Sequence, residues 1–376
     1  MEPIYLSFPK NPEVLQTVYI QAALDTMKDT GGELILGAGQ WQIASLLLYS
    51  GVTLHLSAGC QLIGSKNIAD YTDFHIDSTL GYLKSEHMCR EWNLPRYYVN
   101  AMITAVNAED VSVIGDEGSV IDGSDCFDSN GEEHFRGPMG MVFSRCTNVT
   151  LKGYTIRNTA NWAHQLDSCR NVEIEGLTIL GGHDGVNLHH CTGIVANNCD
   201  IRSGDDCFAG YDVENLLVRN CRLNTSCNSF RIGGRDIRVE DCAFWGPGEY
   251  PHRVSGRHNT LAAFMYYAMW YDTIRSDSTG WVIRNCSFDG IDRLFIYDHA
   301  LWDHAAQPLR DITMEHVTVK NLYHGSILRP EAGRKLSLHV RDFSLSWREN
   351  GPYDCLSVTD DVEISMKNFR IQAMNC

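Results

Sequence analysis

The sequence predicts a right-handed parallel β-helix, and three observations carry that prediction. A motif of about 22 residues recurs along the chain, each copy holds two short alternating strands, and like residues recur in step with it. The clearest copies are NVTLKGYTIRNT from Asn148, NVEIEGLTILGG from Asn171, GIVANNCDIRSG from Gly193, NLLVRNCRLNTS from Asn215 and DIRVEDCAFWGP from Asp236. WVIRNCSFDGI from Trp281 follows two periods later. Looser copies, DITMEHVTVKN, LHVRDFSLSW and ISMKNFRIQ, run to the C-terminus, and VTLHLSAGCQLIGS and DVSVIGDEGSVIDG precede the clear ones. A leucine-rich repeat has a similar length, but its regular leucines and strand-plus-helix unit are missing. Short strands in every copy fit coils stacked about 4.8 Å apart.

Stacking explains the columns of identical residues. Cys146, Cys169 and Cys191 are 23 and 22 residues apart, and Cys199, Cys221, Cys242 and Cys286 are separated by 22, 21 and 44. Such regularity marks a repeated slot in a core, where a free cysteine packs as a small hydrophobe. Reduced thiols are therefore expected, and with no CxxC pair a zinc site is not. Asn198, Asn220, Asp241 and Asn285 each precede a cysteine, forming a turn ladder expected to exchange side-chain hydrogen bonds.

The elements follow in chain order. NPEVLQTVYIQAALDTMKDTGG, residues 11–32, reads as a capping helix for the open end of the solenoid. Asn11 is its expected N-cap, with Pro12 at the first helical position, an apolar face including Leu15, Val18 and Met27, and Gly31-Gly32 as the stop. Residues 71–100 and 245–280 break the period, are rich in aromatics, His and Arg, and read as loop insertions near a binding cleft. No linker or low-complexity tract divides the chain, so residues 1–376 read as one β-helix domain of about ten coils.

Composition excludes several classes of function. A formal charge of −16 leaves no general cationic surface for nucleic acid. No run of about 18 apolar residues is present to cross a membrane as a helix. MEPIYLSFPKNPEV lacks the basic and apolar blocks of a signal peptide, and with reduced cysteines this predicts a cytoplasmic protein. No phosphate loop or nucleophile triad is visible.

Acidic residues concentrate in GGHDGVNL, which holds Asp184, and SGDDCFAG, which holds Asp205 and Asp206. An interval of 21 residues from Asp184 to Asp205 is close to one coil. Three carboxylates are thus expected within roughly 5–10 Å of one another. Like charges so close raise at least one pKa, a cost that a purely structural turn does not need. Inverting glycoside hydrolysis needs it: one carboxylic acid protonates the leaving oxygen while others activate a water on the far face of the sugar. A calcium site is the other use of such a cluster, which keeps a polysaccharide lyase or epimerase in view.

From Asn11 to Gly234 the chain resembles the polygalacturonase family, glycoside hydrolase family 28. The resemblance runs through TGGELILGAGQWQIASLLLYSGVTLHLSAGCQLIGS, AMITAVNAEDVSVIGDEGSVIDG and NVTLKGYTIRNTANWAHQL. In that family an Asn-Thr-Asp segment precedes a Gly-Asp-Asp segment by one coil. Here GHDGVN keeps Asp184, with His183 and Gly182 replacing the Thr and Asn, and SGDDC keeps both aspartates. The resemblance implies that Asp205 is the general acid and that Asp184 and Asp206 hold the attacking water, with no cofactor or resident metal. The charges of Asp184 and Asp206 are expected to keep the proton on Asp205. Two family motifs differ. Asn228 in CNSFRIGG stands where the family has the His of Gly-His-Gly, and no Arg-x-Lys matches the Arg-Ile-Lys that grips a uronate carboxylate.

Substitutes are available. Arg231, expected one coil beyond the aspartate pair, either binds a substrate carboxylate or pairs with Asp205 or Asp206. Arg253 and Arg257 in PHRVSGRHNT are candidates for the cleft rim. Trp162 and His164 in NTANWAHQL are candidates for sugar contact, with a core role as the alternative. His183, His189 and His190 flank Asp184, where an imidazole tunes a carboxyl. The expected activity is inverting hydrolysis of a pectin-like, galacturonate- or rhamnogalacturonan-containing glycan. The alternatives are a lyase or epimerase, or a weakened, glycan-binding β-helix.

Overall fold

A computed structural model describes residues 2–9, 14–76, 81–94, 100–268, 273–302, 307–348 and 354–372. Among the described residues the strand pairings are parallel, and the fold is the right-handed β-helix that the repeat predicts. Packing divides the chain into two compact units, Met1–Asn187 and Leu188–Cys376.

In the first unit, one ladder runs through Gly32–Leu36, Val52–Leu56, Glu109–Gly115, Thr147–Lys152 and Arg170–Glu175. A second ladder climbs beside it, and a third forms a separate sheet of Leu46–Leu48, Ala101–Val106, Met139–Ser144 and His164–Asp167. The helix Thr17–Asp25 covers the open end. It does so chemically as well as sterically: Thr17 Oγ1 and Gln21 Oε1 accept from the Ala44 and Leu47 amides. Asn11 and Pro12 lie outside the described residues, and the N-cap of the helix is Gln16. Its buried face is Ile20, Leu24 and Met27, whereas Val18 is 81% exposed. The face follows the i, i+4, i+7 spacing, and Val18 lies off that stripe.

In the second unit, Ile194 pairs with Leu216 and Leu216 with Ile237, so these coils take 22 and 21 residues. A third strand in each coil went unread in the sequence: Phe208–Tyr211, Asn228–Ile232, Ala262–Tyr266, Phe295–Asp298 and Ser326–Arg329. Apart from Ser326–Arg329, these strands are buried almost throughout, so they lack the alternation that reveals a half-exposed strand. Phe208, Phe230, Phe264 and Phe295 stack along them with ring centroids 5.0–5.7 Å apart. Ala262–Tyr266 falls inside residues 245–280, so that stretch contains a core strand and is not loop throughout.

The cysteine column is a core ladder. The Cys199 amide donates to Cys221 Sγ at 3.5 Å and the Cys221 amide to Cys242 Sγ at 3.4 Å. All the described cysteines are free thiols. The Asn/Asp column has a backbone cause beyond the expected amide exchange. Asn198, Asn220, Asp241 and Asn285 all have φ between 54 and 56°. That left-handed conformation penalises most side chains, and Asn and Asp tolerate it best after glycine. The exchange is present too, as in Asn285 Nδ2 donating to Asp241 Oδ1 at 3.0 Å.

Candidate active site

Within the second unit, the strands Asp200–Ser203 and Phe208–Tyr211 are joined by the turn that carries Asp205 and Asp206. The Asp205 carbonyl is tied down by Ser203 Oγ at 2.8 Å and by Thr225 Oγ1. Successive side chains of an extended backbone point opposite ways, and this separates the two carboxyls. Asp206 turns inward and is 2% exposed, while the Asp205 side chain keeps 17% of its surface open.

Asp206 Oδ1 accepts from the Asn228 amide at 3.1 Å and from Asn228 Nδ2 at 2.8 Å. Burial pushes its carboxyl up to about 7, and the neighbouring Asp205 charge adds to the rise. Arg231 and the two Asn228 hydrogen bonds oppose it without cancelling it. Neighbouring charge was expected to place the raised carboxyl at Asp205; burial, the larger cause, places it at Asp206. Asp205 is the more accessible carboxyl of the two.

Arg231 lies on the strand Asn228–Ile232, with its guanidinium carbon 3.7 Å from the centre of the Tyr267 ring. Its charge lowers the Asp206 carboxyl, in keeping with one of the two roles considered for it. Arg257 braces the cleft wall through Ser226 O at 3.1 Å, Ser255 Oγ at 3.1 Å and Cys227 Sγ at 3.0 Å. Its donors are therefore engaged within the protein, and Arg253 is the exposed member of the pair.

Sequence reasoning did not single out His252. Its Nε2 lies 3.8 Å from Asp205 Oδ1. The only signal was its place in PHRVSGRHNT, a stretch outside the repeat whose register cannot be counted. Asp205, Cys227 and His252 offer an oxygen, a sulfur and a nitrogen within 4.8 Å of one another, the donor set of a metal site. However, Arg257 Nη2 and Asn228 Nδ2 already donate to the sulfur, and the Ser255 amide donates to His252 Nδ1. A cationic group on the sulfur suits protons better than a metal ion.

Within the first unit, Asp184 is 5% exposed and accepts from Asn187 Nδ2 at 2.7 Å. His183 Nδ1 faces Arg136 Nη1 at 3.2 Å, and its ring stacks on Phe135 at 5.8 Å. Arg136, also unremarked in the sequence, donates to Glu133 Oε2 at 2.7 Å and Asn161 Oδ1 at 3.2 Å, fixing the His183 ring from behind. Trp162 and His164 are 6% and 0% exposed, so the core reading replaces sugar contact for both. Nδ1 of His164 donates to the Gly185 carbonyl at 3.0 Å, and Nε2 meets Tyr154 Oη at 2.9 Å. Burial lowers this imidazole to about 4, keeping it neutral. In the second unit, His190 pairs with buried Asp212 at 2.8 Å, and His189 packs against the Tyr211 ring.

These features define a right-handed parallel β-helix with a carboxylate site on one of its turns. Residues 84–226 match the family model "Glycosyl hydrolases family 28". Asp184, Asp205 and Asp206 fall inside the match, whereas Asn228, Arg231 and His252 fall beyond it. A probable polygalacturonase of Vitis vinifera is 28% identical over 261 residues, covering 61% of this chain and 51% of that protein. A polygalacturonase of Cochliobolus carbonum is 25% identical over 291 residues, 74% of this chain and 65% of that one. The chain thus spans about half to two thirds of the length of these two relatives. The hyperthermoactive exopolygalacturonase of Thermotoga maritima shares the fold, with a TM-score of 0.73 at 13% identity over 98% of this chain and 91% of that one.

Proposed function

We propose that the chain is an inverting glycoside hydrolase acting on a pectin-like glycan that contains galacturonate or rhamnogalacturonan. The observation that carries the reading is the aspartate pair, one carboxyl buried and raised to about 7, the other open to solvent. Such a pair keeps a proton near neutral pH and has one member able to hand it over. Asp205 is the acid in this reading. Asp206 and Asp184 hold the water, Asp184 entering through the GHDGVN resemblance and its interval of 21 residues. Family-wide substrate preference is carried over with one change, since the cation for a uronate carboxylate has to come from Arg231 or Arg253 in place of an Arg-x-Lys pair. The thiol ladder supports a cytoplasmic address, where the substrate would be an imported oligosaccharide.

Asp205→Asn keeps the shape and removes the transferable proton. Turnover on pectic oligosaccharides is expected to fall by roughly 10²–10⁴ while binding survives. Proton NMR of the first-formed product from the unmodified enzyme should show an inverted anomeric centre. Retained configuration, or an unsaturated sugar absorbing in the near ultraviolet, refutes the mechanism.

A further inference from the structure

We infer that His252 is a positioning residue for the acid, a neutral imidazole whose Nε2–H is directed at the Asp205 carboxylate. Its catalytic consequence rests on the hydrolase reading above; the pairing itself does not. The ring is held by what surrounds it. Nδ1 accepts from the Ser255 amide at 3.2 Å and lies 3.0 Å from Ser255 Oγ. A ring nitrogen that accepts from a backbone N–H carries no proton, so the neutral ring is protonated at Nε2. That nitrogen is the one 3.8 Å from Asp205 Oδ1.

The loop is built to hold this direction. The His252 amide donates to Arg257 O at 3.0 Å, and the Gly256 amide returns to His252 O at 2.7 Å. Arg257 pins the turn to Ser226 O and also donates to Ser255 Oγ, the hydroxyl beside the imidazole. Gly248 and His258 close the base of the loop with two further hydrogen bonds, at 2.6 and 2.8 Å. Charged and titratable groups near the ring include Asp205, with Asp206 adjacent in sequence, Cys227, and Arg257, which donates to Cys227 Sγ.

A separation of 3.8 Å is longer than a hydrogen bond, and catalytic hydrogen bonds in an unliganded site commonly tighten only when substrate is bound. When Asp205 gives its proton to the leaving oxygen, a carboxylate appears where a neutral acid stood. An Nε2–H aimed at that oxygen stabilises the new charge more than the starting acid, which is how a fixed donor lowers a barrier. No proton need leave the ring: the proton goes from Asp205 to the glycosidic oxygen, and solvent later restores it. His252 thus does from an irregular loop what Asn228, committed to Asp206, is not placed to do.

Nitrogen-15 NMR of the full chain labelled at histidine tests the pairing without any substrate. His252→Gln removes one ring signal and so assigns it. The expected signal shows a proton on Nε2 in the neutral form, and its pKa drops by about one pH unit in Asp205→Asn, which removes the facing carboxyl and the charge it carries once its proton is gone. A proton on Nδ1, or a titration indifferent to Asp205→Asn, overturns the inference. Kinetics then test the consequence. His252→Ala should lower kcat at least about tenfold with KM little changed, and His252→Gln, which retains an N–H donor, should recover part of it. Unchanged kcat in His252→Ala also overturns it. If the unmodified protein releases no sugar from any pectic glycan, the proposed function fails, and the NMR titration still decides the pairing.

Discussion

Replacing Asp206 by asparagine should make the folded protein more stable at neutral pH while impairing it as a catalyst. The Asp206 side chain is buried and its carboxyl is raised from 3.8 to about 7, chiefly by burial. The folded state therefore holds this proton more tightly than the unfolded chain. The stabilisation that results is fully present below about pH 3.8 and is lost as pH rises to about 7. Three pH units at 1.36 kcal/mol each give about 4 kcal/mol as the ceiling on the neutral-pH cost of the buried charge. A working range is roughly 2–4 kcal/mol, because relaxation and water penetration reduce the cost of a buried charge. Asparagine keeps an oxygen to accept from the Asn228 amide and side chain and carries no charge. Urea denaturation of Asp206→Asn and the parent chain, at intervals from pH 4 to pH 8, gives the difference directly. The variant should gain stability progressively across that window. A difference that does not change with pH, or a variant less stable at pH 8 than at pH 4 relative to the parent, refutes the reasoning.

Arg231→Ala removes a charge that restrains the Asp206 carboxyl, so the pair should hold its proton to higher pH. kcat/KM on a pectic oligosaccharide should fall at least about tenfold, or about 1.4 kcal/mol, with the high-pH limb of the rate profile shifted upward. Unaltered kinetics would make Arg231 a purely structural partner of Tyr267. Burial holds His164 at about 4, so the unfolded chain takes its proton first and stability should drain as pH falls from about 6.5 to 4. In His164→Gln that acid limb should flatten, as thermal melts against pH will read. Cys199, Cys221 and Cys242 are each at most 2% exposed and should resist a thiol reagent in the native protein, then react in full on denaturation. Rapid labelling of all three in native protein would contradict the ladder.

By itself the sequence determined the coil. A period of about 22 residues forces equivalent positions into register. Spacing alone therefore assigns the Cys199, Cys221 and Cys242 column to the core and the Asn198, Asn220 and Asp241 column to a turn. The aspartate pair was legible for the same reason, as acidic residues on a turn of the repeat. Tertiary structure decided what periodicity does not encode. The third strand in the central coils, as in Phe208–Tyr211 and Asn228–Ile232, is buried almost throughout and leaves no alternation to read. Burial depends on every neighbouring coil at once, and it chose Asp206 over Asp205 as the carboxyl with the raised pKa. It also turned Trp162 and His164 from sugar contacts into core. His252 lies in a stretch outside the repeat, where counting residues says nothing about which coil a side chain faces, and Arg136 lies between the quoted copies of the repeat. Only the folded loop, tied by Arg257 and Ser255, brings the His252 imidazole to Asp205.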